Sequence, residues 1–146
     1  KKGATTIWEH WDGLKDDGSM WSADMNSFNH YAYGAIGEWM YRAMAGIEAD
    51  PEYPGFKHAI LYPRIGGNLK YTAGKYHSIY GDVGVKWEVQ GKQITLTVQI
   101  PVNTTAEIRL DQAKAVLESD GLTFIREADY MAAEAGSGTY QIVFEQ

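Results

Sequence analysis

Residues 83–100, with the sequence VGVKWEVQGKQITLTVQI, carry the clearest structural pattern of the chain. Apolar side chains alternate with polar ones in both halves, as is typical of strands that bury one face. Gly91-Lys92 separates the two halves and predicts a tight hairpin. Five more β-rich runs, at 58–62, 69–76, 106–110, 115–118 and 140–144, join these two, with turns at 101–103 and 119–121. Seven short strands predict an antiparallel β-sandwich over residues 55–146.

The segment before the strands contains one strong helical pattern. Apolar residues recur at spacings of three and four from Phe28 to Ile47, which predicts a single amphipathic helix. Asn26 or Ser27 is expected to cap its start, and Asp50-Pro51 is expected to close it.

One such helix cannot bury its apolar stripe alone. We therefore expect residues 1–54 to be an incomplete part of a larger helical domain, and residues 55–146 to form a second domain. In the absence of partner helices, the Phe28 to Ile47 stripe is expected to pack on a second copy of the chain or on the sandwich.

Composition excludes several classes of function. The net charge of -6 at pH 7 argues against a nucleic-acid partner, which requires a basic face. Cysteine is absent, so disulfides and thiol catalysis are excluded. No run of about 18 apolar residues is available to span a membrane. No cofactor motif is found, and nothing in the sequence identifies the compartment.

Glu9 is the first candidate for chemistry. It lies between Trp8 and Trp11, with His10 and Asp12 beside it. Hydrolysis of a glycosidic bond needs two carboxyl groups, and a sugar can stack on aromatic rings next to one of them. The alternative is an aromatic loop with a solvated glutamate.

His30 is the second candidate. The predicted helix places it in the first turn, where exposed N–H groups disfavour the imidazolium. A neutral imidazole there can hydrogen-bond a ligand hydroxyl. The alternative is a histidine with a purely structural role at the start of a helix.

A metal site is not predicted. The four histidines have no ligand-like spacing, and Asp12, Asp16 and Asp17 lack the register of a calcium loop.

Several segments, in this order, resemble the carboxy-terminal end of bacterial α-L-rhamnosidases of glycoside hydrolase family 78. Residues 5–12 (TTIWEHWD) are similar to the family's late active-site loop. Residues 26–39 (NSFNHYAYGAIGEW) are similar to the opening of the last helix of its six-hairpin α/α toroid. The resemblance to the terminal β-sandwich lies in 78–81 (SIYG), Trp87, 100–106 (IPVNTTA) and 136–140 (GSGTY).

The resemblance implies an inverting hydrolase that releases terminal L-rhamnose from glycosides. Glu9 matches the general base of the family, and His30 matches a residue that contacts the bound sugar, with Trp8 and Trp11 as further substrate-binding candidates. The general acid of the family lies upstream of Lys1, so this chain by itself is expected to be inactive.

Two other functions remain open on the sequence. The chain could belong to another α/α-toroid glycoside hydrolase with a glutamate before its last helix. It could also be a non-catalytic carbohydrate-binding or structural β-sandwich module.

Overall fold

The computed structural model describes residues 3–146, apart from the side chain of Tyr33. The chain forms two compact units, of which the first ends at Glu38 and the second runs from Trp39 to Gln146. None of the helices in the described residues is long and apolar enough to cross a membrane.

The first unit is built mainly of loops that hydrogen-bond to one another. Leu14 pairs with Met20 in an isolated antiparallel bridge, and inside it the Lys15 N–H donates to the Ser19 carbonyl over 2.8 Å. The helix α1 comprises Ala32–Trp39. The predicted caps at Asn26 and Ser27 are therefore wrong, because these residues pair with an earlier loop.

The helix continues as a π-helical segment, Met40–Ala45, and ends at Gly46 rather than at Asp50-Pro51. Gly46 has a φ of 75°, and a Cβ atom there would lie 2.0 Å from the backbone nitrogen of Pro63. Only glycine fits this left-handed, closely packed position, so the helix stops there. The predicted end is wrong because Ile47, the last residue of the stripe, is buried in a strand instead.

The second unit contains ten strands and one short 3₁₀ turn, Pro54–Phe56. The strands are β1 Ile47–Ala49, β2 His58–Leu61, β3 Tyr71–Ser78, β4 Gly81–Gln90, β5 Gln93–Ile100, β6 Thr105–Asp111, β7 Ala115–Glu118, β8 Ile125–Arg126, β9 Tyr130–Ala135 and β10 Gly138–Glu145. All seven predicted strands are present. The additional strands β1, β8 and β9 were not predicted.

The strands form two sheets, ordered β1-β2-β6-β9-β8 and β3-β4-β5-β10-β7. The predicted β-sandwich is confirmed. Every strand pairing is antiparallel except that of β2 with β6, which is parallel. Because β1 pairs with β2 through Ile47 and Leu61, the first sheet takes strands from both sides of the predicted domain boundary at residues 54 and 55.

The predicted turns are also confirmed. Gln90 pairs with Gln93 across Gly91-Lys92, and Gly91 has a φ of 65°. At the 101–103 turn, the Thr104 N–H donates to the Pro101 carbonyl over 3.3 Å. The 119–121 turn closes through a 2.9 Å bond from the Leu122 N–H to the Ser119 carbonyl.

The core contains residues from both sheets, with Trp87 of β4 and Phe144 of β10 as its largest fully buried side chains. The indole Nε1–H of Trp87 donates to the carbonyl of Met44 over 2.8 Å. Trp87 therefore anchors the core, and its polar atom also satisfies an orphan carbonyl at the end of the helix.

Candidate active site

Two loop segments of the first unit, 6–10 and 26–30, hydrogen-bond to each other. The His30 N–H donates to the Ile7 carbonyl over 2.8 Å, and the Thr6 hydroxyl donates to the Phe28 carbonyl. The Glu9 N–H donates to the Ser27 carbonyl over 2.8 Å. The two predicted functional segments are therefore brought together by backbone pairing that the sequence did not reveal.

Glu9 is fixed at both its backbone and its side chain by Ser27. Besides the backbone bond, the Ser27 N–H donates to the Glu9 carboxylate oxygen Oε2 over 3.1 Å. No other described residue hydrogen-bonds this carboxylate, so Oε1 keeps its capacity to accept a proton. The residue is half-buried, which limits the number of orientations its side chain can adopt.

The two tryptophans beside Glu9 lie in different environments. Trp8 packs edge-to-face on Phe28, with ring centroids 4.7 Å apart and an interplanar angle of 74°. This contact joins the two loop segments and holds Trp8 half-buried. Trp11 is fully exposed. A contact of either ring with a sugar stays a prediction.

His30 lies two residues before Ala32, the first residue of α1, so the prediction that it falls in the first turn of the helix is wrong. Its Nδ1 accepts a hydrogen bond from the Ala32 N–H over 3.3 Å, and its ring stacks on Tyr31 with centroids 5.0 Å apart. When Nδ1 accepts, the neutral ring carries its proton on Nε2. That N–H can donate to a ligand hydroxyl, so the capping role and a sugar contact use different nitrogens.

Sequence reasoning missed the group of residues that supports the turn after Glu9. The side-chain amide Nδ2 of Asn26 donates to the Gly13 carbonyl over 2.8 Å, and the His10 ring stacks on Trp21 at 4.0 Å. Gly13 is buried, and a Cβ atom on it would come within 2.7 Å of Asn26 Oδ1. The one sign of this group in the sequence was Gly13, which stands shortly before a run of polar loop residues and allows the close approach of Asn26.

An open pocket lies beside the paired segments. It is lined by Ala4, Thr5, Thr6, Ile7 and Asn29. Its polar lining, the Thr5 hydroxyl and the Asn29 amide, can offer hydrogen bonds to a ligand.

The histidines of the described chain do not assemble into a metal site. His58 bonds Thr105 through Nδ1 over 2.7 Å, and His77 bonds Asp82 over 2.7 Å, both on the sandwich. Within residues 3–146, no group of three or more histidine or carboxylate side chains could hold a metal ion.

Two family models match successive parts of the chain. Residues 1–44 match the model described as the bacterial alpha-L-rhamnosidase 6 hairpin glycosidase domain. Residues 46–123 match the bacterial alpha-L-rhamnosidase C-terminal domain. The end of a six-hairpin glycosidase domain followed by a β-sandwich defines a class of glycoside hydrolases.

The chain is similar to individual enzymes over almost its whole length. It is 41% identical over 143 residues to an alpha-L-rhamnosidase of Streptomyces avermitilis, a match that covers 96% of this chain and 14% of that protein. It is 30% identical over 144 residues to an alpha-L-rhamnosidase of an Alteromonas species, which covers 99% of this chain and 15% of that one. The chain therefore belongs to the bacterial α-L-rhamnosidase family, as the resemblance predicted.

Solved structures agree with the sequence relatives. The crystal structure of the Streptomyces avermitilis enzyme complexed with L-rhamnose matches with a TM-score of 0.80 and 38% identity, over 97% of this chain and 14% of that one. The structure of alpha-L-rhamnosidase from Dictyoglumus thermophilum matches with a TM-score of 0.77 and 27% identity, over 99% and 16%. The chain thus spans about one seventh of the length of these enzymes.

Proposed function

We propose that the chain is the carboxy-terminal part of a longer, inverting α-L-rhamnosidase that hydrolyses terminal L-rhamnose from glycosides. Membership of the family and the alignment with enzymes of that name support this proposal. The chain by itself is inactive, because hydrolysis requires a general acid that the family carries in the remainder of the enzyme.

The observation that carries the proposal is the way Glu9 is held. The Ser27 N–H orients one carboxylate oxygen, and the other stays able to take a proton from water. In an inverting mechanism, a carboxylate activates water on the face of the sugar opposite the leaving group, while a carboxylic acid protonates the glycosidic oxygen. Glu9 is the residue we assign to activation of water.

The other site residues bind substrate. The Nε2–H of His30 donates to a rhamnose hydroxyl while Nδ1 caps α1. Trp8 and Trp11 offer aromatic faces on which the apolar side of the sugar can stack. The half-buried Trp8 has a fixed position, and the exposed Trp11 has room to move toward the substrate.

Replacing Glu9 with glutamine in the longer enzyme tests the assignment. The amide keeps the shape and can still accept the Ser27 N–H bond, but it cannot serve as a base. We expect turnover of an aryl α-L-rhamnoside to fall about 10²–10⁴-fold, the usual contribution of general-base catalysis. Rhamnose binding should survive, because one carboxylate contributes little of it.

Glu38→Gln is the matched control. Glu38 is exposed on α1, so the same chemical change should leave turnover within about 2-fold. Near-normal turnover of Glu9→Gln would remove Glu9 from the mechanism. If the longer enzyme instead cleaved other aryl glycosides and spared rhamnosides, it would be another toroid hydrolase. If the chain alone bound rhamnose through its sandwich, the carbohydrate-binding alternative would be favoured.

We further propose that the catalytic domain meets the sandwich near Gly46, rather than at the predicted boundary of 54 and 55. The two family matches change over between residues 44 and 46, and β1 already pairs inside the sandwich. The left-handed turn at Gly46 is a natural point for the chain to pass from helix to strand.

We propose that the exposed part of the apolar stripe packs against the remainder of the catalytic domain in the longer enzyme. Ala45 and Ile47 are buried in the sandwich core, whereas Ile36, Trp39 and Met40 are about half exposed. In the isolated chain these side chains should drive self-association. Sedimentation equilibrium should then show a dimer that the double substitution Trp39→Gln and Met40→Gln dissociates. If the isolated chain were a monomer at all concentrations, self-association through these side chains would be excluded.

A further inference from the structure

The turn that follows Glu9 is closed by hydrogen bonds rather than by secondary structure. The Gly13 N–H donates to the His10 carbonyl over 3.1 Å, which forms the turn directly after Glu9. The Gly13 carbonyl then accepts two hydrogen bonds, from Asn26 Nδ2 at 2.8 Å and from the Trp21 N–H at 3.1 Å. Gly13 is therefore the point at which three separate parts of this loop region meet.

Asn26 is the side chain that connects this turn to the support of Glu9. Its neighbour Ser27 holds the Glu9 carboxylate and backbone, while its own amide holds Gly13. Glu9 is thus held directly by Ser27, and the turn that follows Glu9 in the chain is held by Asn26, the residue next to Ser27. Loss of the Asn26 bond would leave the Gly13 carbonyl bonded to the Trp21 N–H alone, and it would detach the turn from the segment whose Ser27 holds Glu9.

The surroundings of Gly13 indicate that this arrangement tolerates little change. A Cβ atom at Gly13 would lie 2.7 Å from Asn26 Oδ1 and 3.2 Å from the His10 carbonyl oxygen. Asn26 Oδ1 and His10 Nε2 are buried, and neither has a hydrogen-bond partner among the described residues. Close packing around a polar contact fixes its geometry, because the groups have no alternative positions.

We propose that Asn26 is a positioning residue for Glu9, which rests on the assignment of Glu9 as the general base. It acts through the Gly13 carbonyl and touches neither the substrate nor the reacting atoms. A displacement of a catalytic group by about 1 Å can cost 10²-fold in rate, so a modest loosening should lower turnover measurably.

The test uses Asn26→Asp in the longer enzyme. Aspartate keeps the size of asparagine but cannot donate to the Gly13 carbonyl. We expect kcat to fall about 10-fold while KM changes by less than about 2-fold, because the base is misplaced and substrate contacts are kept. Asn26→Ser introduces a smaller, uncharged side chain and should also lower kcat while KM stays almost unchanged. It replaces the aspartate variant if that variant does not fold.

The decisive measurement repeats the substitution in the Glu9→Gln background. If Asn26 acts through Glu9, replacing Asn26 in the Glu9→Gln enzyme should lower kcat by less than about 2-fold. An undiminished 10-fold loss in that background, or no loss of kcat in the parent, would overturn the proposal while leaving Glu9 in place. Normal turnover of Glu9→Gln alone would overturn both assignments.

Ser22→Ala is the matched control. The Ser22 hydroxyl accepts hydrogen bonds from the N–H groups of Asp24 and Met25, each at 3.2 Å, in the same loop region. Its removal loosens the loop without touching the Gly13 turn, so kcat should stay within about 2-fold in both backgrounds.

Discussion

At the scale of the residue, we propose two functions for the ring of His30. Nδ1 accepts the bond from the Ala32 N–H at the start of α1, and Nε2 is the atom proposed to contact the sugar, so His30→Ala would remove both. The loss of a buried hydrogen bond to substrate is worth roughly 1–3 kcal/mol. In the longer enzyme, we expect His30→Ala to weaken kcat/KM about 10- to 100-fold, mainly through substrate affinity.

His30→Asn separates the two functions, because asparagine can cap a helix but does not reproduce the reach of Nε2. The His30→Asn variant should retain the thermal stability that the His30→Ala variant loses. Its affinity for substrate should fall as much as that of the His30→Ala variant. Kinetics like those of the unsubstituted enzyme in both variants would return His30 to a structural role.

Residue types and a known pattern were enough to nominate Glu9 and His30 from the sequence. The pairing of the two segments that carry them could not be predicted, because it depends on backbone bonds between loops that have no periodicity. Asn26 was interpreted as a possible helix cap, a role that asparagine commonly has. The structure uses the same hydrogen-bonding side chain to hold Gly13 instead.

At the scale of the element, Trp87 connects β4 to the end of the helix. Trp87→Phe keeps most of the apolar surface but leaves the Met44 carbonyl without its donor and opens a small cavity. We expect the chain to lose about 2–4 kcal/mol of unfolding free energy, measured by urea denaturation with circular dichroism. Trp11→Phe, at a fully exposed position, should change it by less than about 0.5 kcal/mol. Equal effects of the two substitutions would contradict the anchoring role.

The sequence predicted those strands whose side chains alternate clearly and missed the others for identifiable reasons. β9 has the sequence YMAAEA, in which alanine favours helix over strand. β8 is two residues long, which is too short for any pattern. β1 was hidden because Ile47 continued the helical spacing, and only the clash at Gly46 reveals the break.

At the scale of the whole molecule, the position of the domain boundary affects stability. A chain of residues 39–146 keeps β1 and the π-helical segment, whereas residues 55–146 lose Ile47, Ala45 and the partner of Trp87. We expect the longer piece to unfold cooperatively and the shorter one to be less stable by about 3–6 kcal/mol. Equal urea midpoints for the two pieces would restore the boundary at residues 54 and 55.

We have assigned to Glu9 the activation of water for a single displacement at the anomeric carbon. The ¹H NMR spectrum of the sugar released from an α-L-rhamnoside by the longer enzyme, recorded before the anomers equilibrate, tests this assignment. A single displacement inverts the anomeric centre, so the first product should be β-L-rhamnose. Initial release of α-L-rhamnose would require two displacements and a carboxylate nucleophile, and would contradict the role assigned to Glu9.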